Sequence, residues 1–132
     1  MTPEGLVVLS CPRTPKEAMD LLAASVVRHG MTVFARIDHA AAAKEAGMTL
    51  APTEVLIFGN PKGGTPLMQA AQTLGIDLPL KALVWQDATG DTWLSWNDPA
   101  WLAARHGMSG AEAVAAKLAA VLDDIAKTAT AT

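Results

Sequence analysis

Short apolar runs alternate with amphipathic stretches along most of the chain. Runs of mainly aliphatic residues are typical of strands in a sheet, whereas apolar positions spaced three and four apart indicate helices. Strands are predicted over residues 6–9, 32–37, 54–58, 82–85 and 92–96. Helices are predicted over residues 14–30, 38–46, 66–74, 97–105 and 109–125. This order mixes crossover connections with one hairpin and predicts an α+β fold, with a mixed β-sheet of about five strands and helices packed on it.

Capping residues mark the starts of three predicted helices. Thr14 and Glu17 have the spacing of a capping box, in which each side chain hydrogen-bonds the other residue's backbone amide. Ser109 and Glu112 repeat that spacing before the last helix. Asp38 is placed to cap the second helix.

The length and composition fit one folded domain. The 132 residues are 51% hydrophobic and 17% charged. We expect a single domain over residues 1–132, with its core at about 5–125 and a frayed tail at 128–132. The formal charge of -3 provides no basic surface for phosphates, so no nucleic-acid partner is expected.

The start of the chain gives an expectation about location. It lacks the basic region and long apolar run of a signal peptide, and no segment approaches the ~20 apolar residues of a membrane span. A single cysteine, Cys11, cannot form an internal disulfide and suits a reducing compartment. We therefore expect a cytoplasmic protein with no membrane partner.

A glycine-rich segment, Gly59–Thr65, follows the third predicted strand. Backbone amides between a strand and a helix can bind a phosphate or carboxylate. The segment is not a P-loop, because Lys62 comes too early to reach terminal phosphates. A tight turn stabilised by Asn60 explains the same residues without a ligand. Both interpretations stay open, and the candidate ligand-binding residues are Gly59, Asn60, Pro61, Gly63 and Gly64.

Two carboxylates and a histidine are candidate catalytic residues. Asp38 and His39 are adjacent, and a carboxylate that orients an imidazole can make it a general base near neutral pH. Asp98 is an alternative orienting carboxylate. Adjacent strand residues point in opposite directions, however, so Asp38 is explained more simply as a helix cap.

A second polar cluster lies near the end of the last predicted strand. Asn97 precedes Asp98 and Pro99, and His106 follows. Three nearby tryptophans provide possible aromatic walls for a ligand cleft: Trp93, Trp96 and Trp101. Asn97 and His106 are therefore further candidate ligand-binding residues. The competing interpretation makes Asn97 or Asp98 a helix cap and places the tryptophans in the core or a dimer interface.

Metal or haem binding has weaker support. The three histidines, His29, His39 and His106, are scattered, and no Cys-x-x-Cys or His-x-x-x-His spacing occurs. Cys11 offers a thiolate to haem iron, although a lone cysteine is usually a small buried hydrophobe. We predict no metal site and leave the cofactor unassigned.

Several separated motifs resemble the domain of unknown function 302 family, in that family's order. They are Phe34–His39, Gly59–Pro61, Leu78–Leu80, Leu83–Trp85, Asn97–Pro99 and Arg105–Gly107, and the resemblance spans roughly residues 5 to 125. It implies an α+β domain that forms a homodimer, and it implies no established reaction. Trp96 departs from the family, which often has Tyr there, and indole cannot act as a general acid.

Four hypotheses about function follow. The first is a homodimeric module with a pocket near Gly59–Asn60–Pro61 for a small anionic or aromatic ligand. The second is an enzyme with His39 as general base and the amides after Asn60 stabilising negative charge. The third is a haem- or metal-binding protein. In the fourth, the motifs are only caps and turns, and function lies on a surface that meets another protein.

Overall fold

A computed structural model of the protein describes residues 2–131. In this span the strands are β1 (Leu6–Cys11), β2 (Thr32–Asp38), β3 (Thr53–Gly59), β4 (Leu80–Gln86) and β5 (Thr92–Asn97). The helices are α1 (Pro15–Arg28), α2 (His39–Glu45), α3 (Pro61–Ala70), a 3₁₀ turn (Gln72–Ile76), α4 (Pro99–Arg105) and α5 (Glu112–Thr130). The α+β prediction is confirmed.

The five strands form one sheet in the order β1-β5-β4-β3-β2. Every neighbouring pair is antiparallel, so the prediction of a mixed sheet is wrong. The reason is that β1 and β2, which α1 connects, lie at opposite edges of the sheet and never pair. Since neighbours run in opposite directions, the end of β2 and the end of β3 lie at opposite ends of the sheet.

The hydrophobic core lies between one face of the sheet and helices α1 and α5. Leu56 and Phe58 of β3 are fully buried against residues such as Met19 of α1 and Ile125 of α5. Because side chains alternate along a strand, the neighbouring residues point to the other face, away from these helices. This second surface, here called the open face, includes Val8, Ala35, Ile37, Val55, Ile57, Leu83, Trp85, Trp93 and Ser95.

Two helices begin elsewhere than the sequence predicts. Helix α3 begins at Pro61 instead of Pro66, because Asn60 caps the helix and proline at the first helical position loses no hydrogen bond. Pro66 lies inside the helix. Helix α5 begins at Glu112 after Ala111, which makes no side-chain cap, so the predicted Ser109–Glu112 capping box is wrong.

The predictions for the start of α1 and for the end of the chain have different outcomes. The Thr14–Glu17 capping box is present, with Glu17 N donating to Thr14 Oγ1 at 3.2 Å and Thr14 N donating to Glu17 Oε1 at 3.3 Å. The tail predicted to fray from residue 128 is helical to Thr130, since Ala129 near its end is buried in the core and its carbonyl accepts from Cys11 Sγ of β1. The last residue of that tail, Thr132, lies outside the described residues.

Candidate functional site

An apolar pocket of about 250 Å³ lies where β3 ends and α3 begins. The glycine-rich turn forms one side of it. The predicted residues that line it are Gly59, Asn60, Pro61, Gly63 and Gly64. The remaining walls are mainly hydrophobic and come from separate parts of the chain: Met31, Phe34, Thr65, Leu67, Met68, Leu78, Pro79, Leu80 and Leu118.

A bulge in β2 brings an aromatic ring to this pocket. The pairing of β2 with β3 shifts between Val33 and Ala35, which releases Phe34 from the regular alternation. Phe34 remains 51% exposed. A Cβ built at Gly59 would lie 3.6 Å from Phe34 Cε2, so the absence of a side chain at Gly59 leaves the ring room at the strand end. No local pattern of residues predicts this bulge.

The amides of the glycine-rich turn are already engaged. Asn60 Oδ1 accepts from Lys62 N at 3.0 Å. The carbonyl of Asn60 accepts from Gly63 N at 2.9 Å and Gly64 N at 3.0 Å, and Pro61 has no amide hydrogen. The turn therefore offers an anion no free backbone amide from residues 61–64, and the interpretation of Asn60 as a cap explains its conformation.

The residues that line the pocket also disfavour an anionic ligand. Within the described part of the chain, no charged side chain lines it. Its polar groups are the side chains of Asn60 and Thr65 and the backbone of the turn. Such a site favours an apolar ligand with at most a few polar atoms, because a buried unpaired charge would lose its hydration without compensation.

Asp38 and His39 lie at the opposite end of the sheet. Asp38 pairs with Glu54 at the start of β3, whereas Gly59 pairs with Thr32 at the other end of the same two strands. Asp38 Oδ1 accepts from Ala41 N at 2.9 Å and caps α2. The anticipated convergence of His39 with the glycine-rich turn is therefore wrong, because the strands are antiparallel.

A larger, charged groove of about 800 Å³ adjoins Asp38. Most of its charges are paired within the protein, although Lys44 makes no ion pair among the described residues. Arg36 binds Glu54 at 3.2 Å and Asp20 at 3.1 Å. Lys16 also contacts Asp20. Although this groove exceeds the apolar pocket in volume, its paired charges offer a ligand fewer unsatisfied partners, so we assign the candidate site to the apolar pocket.

The predicted cluster around Asn97 does not form a cleft. Asp98 Oδ1 accepts from Ala100 N at 3.1 Å and caps α4. The three tryptophans are separated. Trp93 stacks on Trp85 on the open face at 6.1 Å between ring centroids, Trp96 is buried in the core, and Trp101 packs over Gly5.

His106 belongs to a polar cluster that joins the 3₁₀ turn to α4. Its Nε2 donates to Asp77 Oδ2 at 2.5 Å, and its Nδ1 lies 2.8 Å from Thr73 Oγ1. Arg105 Nη1 contacts both Asp77 oxygens at 2.8 Å. Burial alone would raise the pKa of Asp77, but the hydrogen bond from His106 and the charge of Arg105 outweigh it and hold that pKa below its usual value. His106 is thus a structural residue that does not line the apolar pocket.

The metal and haem hypothesis gains no support from the geometry. Among residues 2–131, no three His, Cys, Asp or Glu side chains lie close enough to hold a metal ion. Cys11 is buried and its Sγ donates to the carbonyl of Ala129 at 2.8 Å. Burial raises the pKa of the Cys11 thiol, which disfavours the thiolate that iron would bind.

Three comparisons with known proteins add to this description. Residues 7–125 match the profile of a family described as "Domain of unknown function DUF302". A crystal structure of an uncharacterized conserved DUF302 protein from Bacillus stearothermophilus superposes with a TM-score of 0.86. It covers 96% of this chain and 99% of the other at 19% identity, which supports the fold alone.

Curated relatives carry a different name. The chain is 50% identical over 113 residues to "Fluoride-specific ion channel FluC 1" of Brucella suis and of Brucella abortus. The match covers 86% of this chain but only 44% and 42% of those relatives, so the chain spans less than half of their length. In the region that the structure describes, none of the helices combines the length and hydrophobicity needed to cross a bilayer.

Proposed function

The chain belongs to the DUF302 family, whose description assigns no activity, and we propose that this protein is a cytoplasmic homodimer that binds a small apolar ligand. The ligand occupies the apolar pocket between α3 and the strand end at Gly59. The observation that carries the proposal is the composition of that pocket, in which aliphatic, aromatic and thioether side chains surround one uncharged polar turn. Ligand sites in proteins have this composition.

The volume of the apolar pocket limits the size of the ligand. At about 250 Å³ the pocket is slightly below the ~300 Å³ at which drug-sized sites begin. One aromatic ring system or a short acyl chain fits this space better than a nucleotide or a haem. With Asn60 Oδ1 bonded to Lys62 N, the Nδ2 group of Asn60 is directed elsewhere and can donate to one acceptor on the ligand.

Flexible walls suit such a ligand. Met31 and Met68 line the pocket from before β2 and from α3, and methionine adapts to irregular apolar shapes. Helix α3 contains Gly63, Gly64 and Pro66, which weaken a helix, and none of its residues is buried. The wall that α3 forms can therefore adjust when a ligand enters.

Calorimetric titration with indole tests the proposal, with inorganic phosphate as the anionic comparison. A Cβ at Gly64 would lie 3.7 Å from Leu78 Cδ1 and 3.8 Å from Met68 Cε, both pocket walls. Gly64→Ala should therefore fold normally and weaken indole binding about ten- to hundred-fold, as an extra methyl group in a filled site does.

The matched control is Gln69→Ala. It also places an alanine in α3, but at an exposed position that does not line the apolar pocket. We expect this variant to keep the wild-type affinity for indole to within about twofold. Equal indole affinity in wild type and Gly64→Ala, or phosphate binding that competes with indole, would refute the proposal.

We propose as a second candidate that the module serves a fluoride channel. The supporting observation is the 50% identity to part of proteins named fluoride-specific ion channels, more than half of whose length lies outside the match. The test is to coexpress this chain with the Brucella suis relative from which the matching segment has been deleted. Copurification in detergent is expected, whereas separate elution at every salt concentration would contradict the candidate.

A further inference from the structure

The two edges of the sheet differ in how well they are protected from pairing with another strand. At the β2 edge, the bulge at Phe34 and the charges of Arg36 and Asp38 interrupt the strand. Such devices prevent edge-to-edge association. At the other edge, β1 has the sequence Leu-Val-Val-Leu-Ser-Cys, with no charge, no proline and an uninterrupted register to β5. An apolar and uncharged edge without a bulge is suited to accept a further strand.

The hydrogen bonds around β1 show which of its residues face outward. Gly5 O accepts from Asp98 N, which continues the ladder towards β5, and Leu6 N donates to Pro3 O instead. In an antiparallel pair, only every second residue of a strand exchanges main-chain hydrogen bonds with the neighbouring strand. Because Gly5 bonds towards β5, Val8 and Ser10 direct their amide and carbonyl groups away from β5. Within residues 2–131, β1 pairs with a strand on one side only.

We infer that two copies of the chain pair through β1, antiparallel about a two-fold axis at Leu9, and so form one continuous sheet. This inference rests on the homodimer of the proposed function and specifies how its two copies meet. In this register Val8 of one copy lies opposite Ser10 of the other. Val8 and Ser10 of each copy then exchange their main-chain N–H and C=O hydrogen bonds with Ser10 and Val8 of the other copy.

The side chains fit this register. The two Leu9 residues lie opposite each other in a non-hydrogen-bonded pair, where side chains approach most closely. Leu9 is 37% exposed in the single chain, and the pairing covers it. The next outward pair sets Leu6 against Pro12. Because the Leu6 amide is already bonded to Pro3 and Pro12 has none, the ladder ends there without leaving an unpaired donor.

A second copy is a better occupant than an unrelated strand. An uncharged strand paired with itself brings no like charges together, although each chain carries a net charge of -3. A two-fold axis also makes the surface complementary to itself, since each contact occurs twice.

Sedimentation velocity with a charge-swap pair tests the inference. One wild-type chain has a mass of 13.7 kDa, and sedimentation should give a particle of twice that mass. Leu9→Lys and Leu9→Glu should each be monomeric, because the axis sets like charges against each other. An equimolar mixture of the two should recover the dimer, because the charges are then opposite.

Two further variants control for folding and for the alternative surface. Ser10→Pro removes an outward amide that the single chain does not use, so it should fold and be monomeric. Ile37→Lys alters an open-face residue of comparable exposure, 42%, and should remain dimeric. A dimer that persists in both Leu9 variants but is lost in Ile37→Lys would refute pairing through β1 and leave the proposed homodimer intact. A monomeric wild type would refute both the pairing and the proposed homodimer.

Discussion

Removing the His106 side chain distinguishes a structural role from a binding role. The sequence makes His106 a candidate ligand-binding residue, whereas the structure buries its side chain to 7% exposure between Asp77 and Thr73. His106→Ala therefore deletes one hydrogen bond to a carboxylate and one to a hydroxyl. It also leaves Asp77, only 14% exposed, with Arg105 as its remaining partner.

The loss in free energy of unfolding can be estimated from these contacts. A charge-assisted hydrogen bond contributes about 1.5–3 kcal/mol net and a neutral one about 0.5–1.5 kcal/mol. Arg105 still neutralises Asp77, so we expect His106→Ala to lower the free energy of unfolding by about 2–3 kcal/mol. At about 4 °C per kcal/mol for a chain of this size, Tm should fall by roughly 8–12 °C. Urea denaturation followed by tryptophan fluorescence measures the effect.

His39→Ala is the matched control. His39 is exposed at the first position of α2, and its loss should change stability by no more than about 0.5 kcal/mol. Indole binding should persist in both variants at temperatures where they are folded. A His106→Ala variant with wild-type stability and no indole binding would refute the structural assignment.

Three further predictions concern the substitution of single polar residues. Asp38→Ala removes the cap of α2 and should destabilise the protein by about 1 kcal/mol in urea denaturation, without affecting indole binding. Hydrogen bonds to Ser25 O and Asp124 raise the pKa of His29 above 6.5, so its stabilising effect is present below that pH and lost as pH rises through the raised pKa. His29→Gln should accordingly cost more stability at about pH 5.5 than at about pH 9 in paired thermal melts. The hydrogen bond from the Trp93 indole, with those from Thr89, lowers the pKa of Asp87 to about 2, so its contribution is present above 3.8 and is lost as pH falls through about 2. In an acid titration, Asp87→Asn should reduce the change in stability over that interval.

Local sequence patterns were sufficient to predict most elements of the fold. Capping needs only neighbouring residues, and the predicted caps Thr14, Asp38 and Asp98 all accept backbone hydrogen bonds. Helix α3 shows the limit of such reasoning. Its two prolines, Pro61 and Pro66, are both acceptable helix starts, and the side-chain bond of Asn60 selects the first.

The arrangement of the candidate site could be predicted only in part. The glycine-rich turn at Asn60 is a prediction drawn from its place between a strand and a helix, since such loops commonly line ligand sites, and the turn adjoins a cavity. Its partners depend on sheet order and on the bulge at Phe34, which no local pattern encodes. The anticipated meeting of His39 with Asn60 assumed that the two strands ended on the same side, which an antiparallel sheet prevents.

Methionine-methyl NMR tests the central claim, the binding of a small apolar ligand in the apolar pocket, most directly. Met31 and Met68 line that pocket, Met48 lines the charged groove, and Met19 is buried in the core. On titration with indole, the methyl resonances of Met31 and Met68 should shift together and saturate, while those of Met48 and Met19 remain unchanged. A titration that leaves Met31 and Met68 in place, or shifts only Met48, would contradict the account.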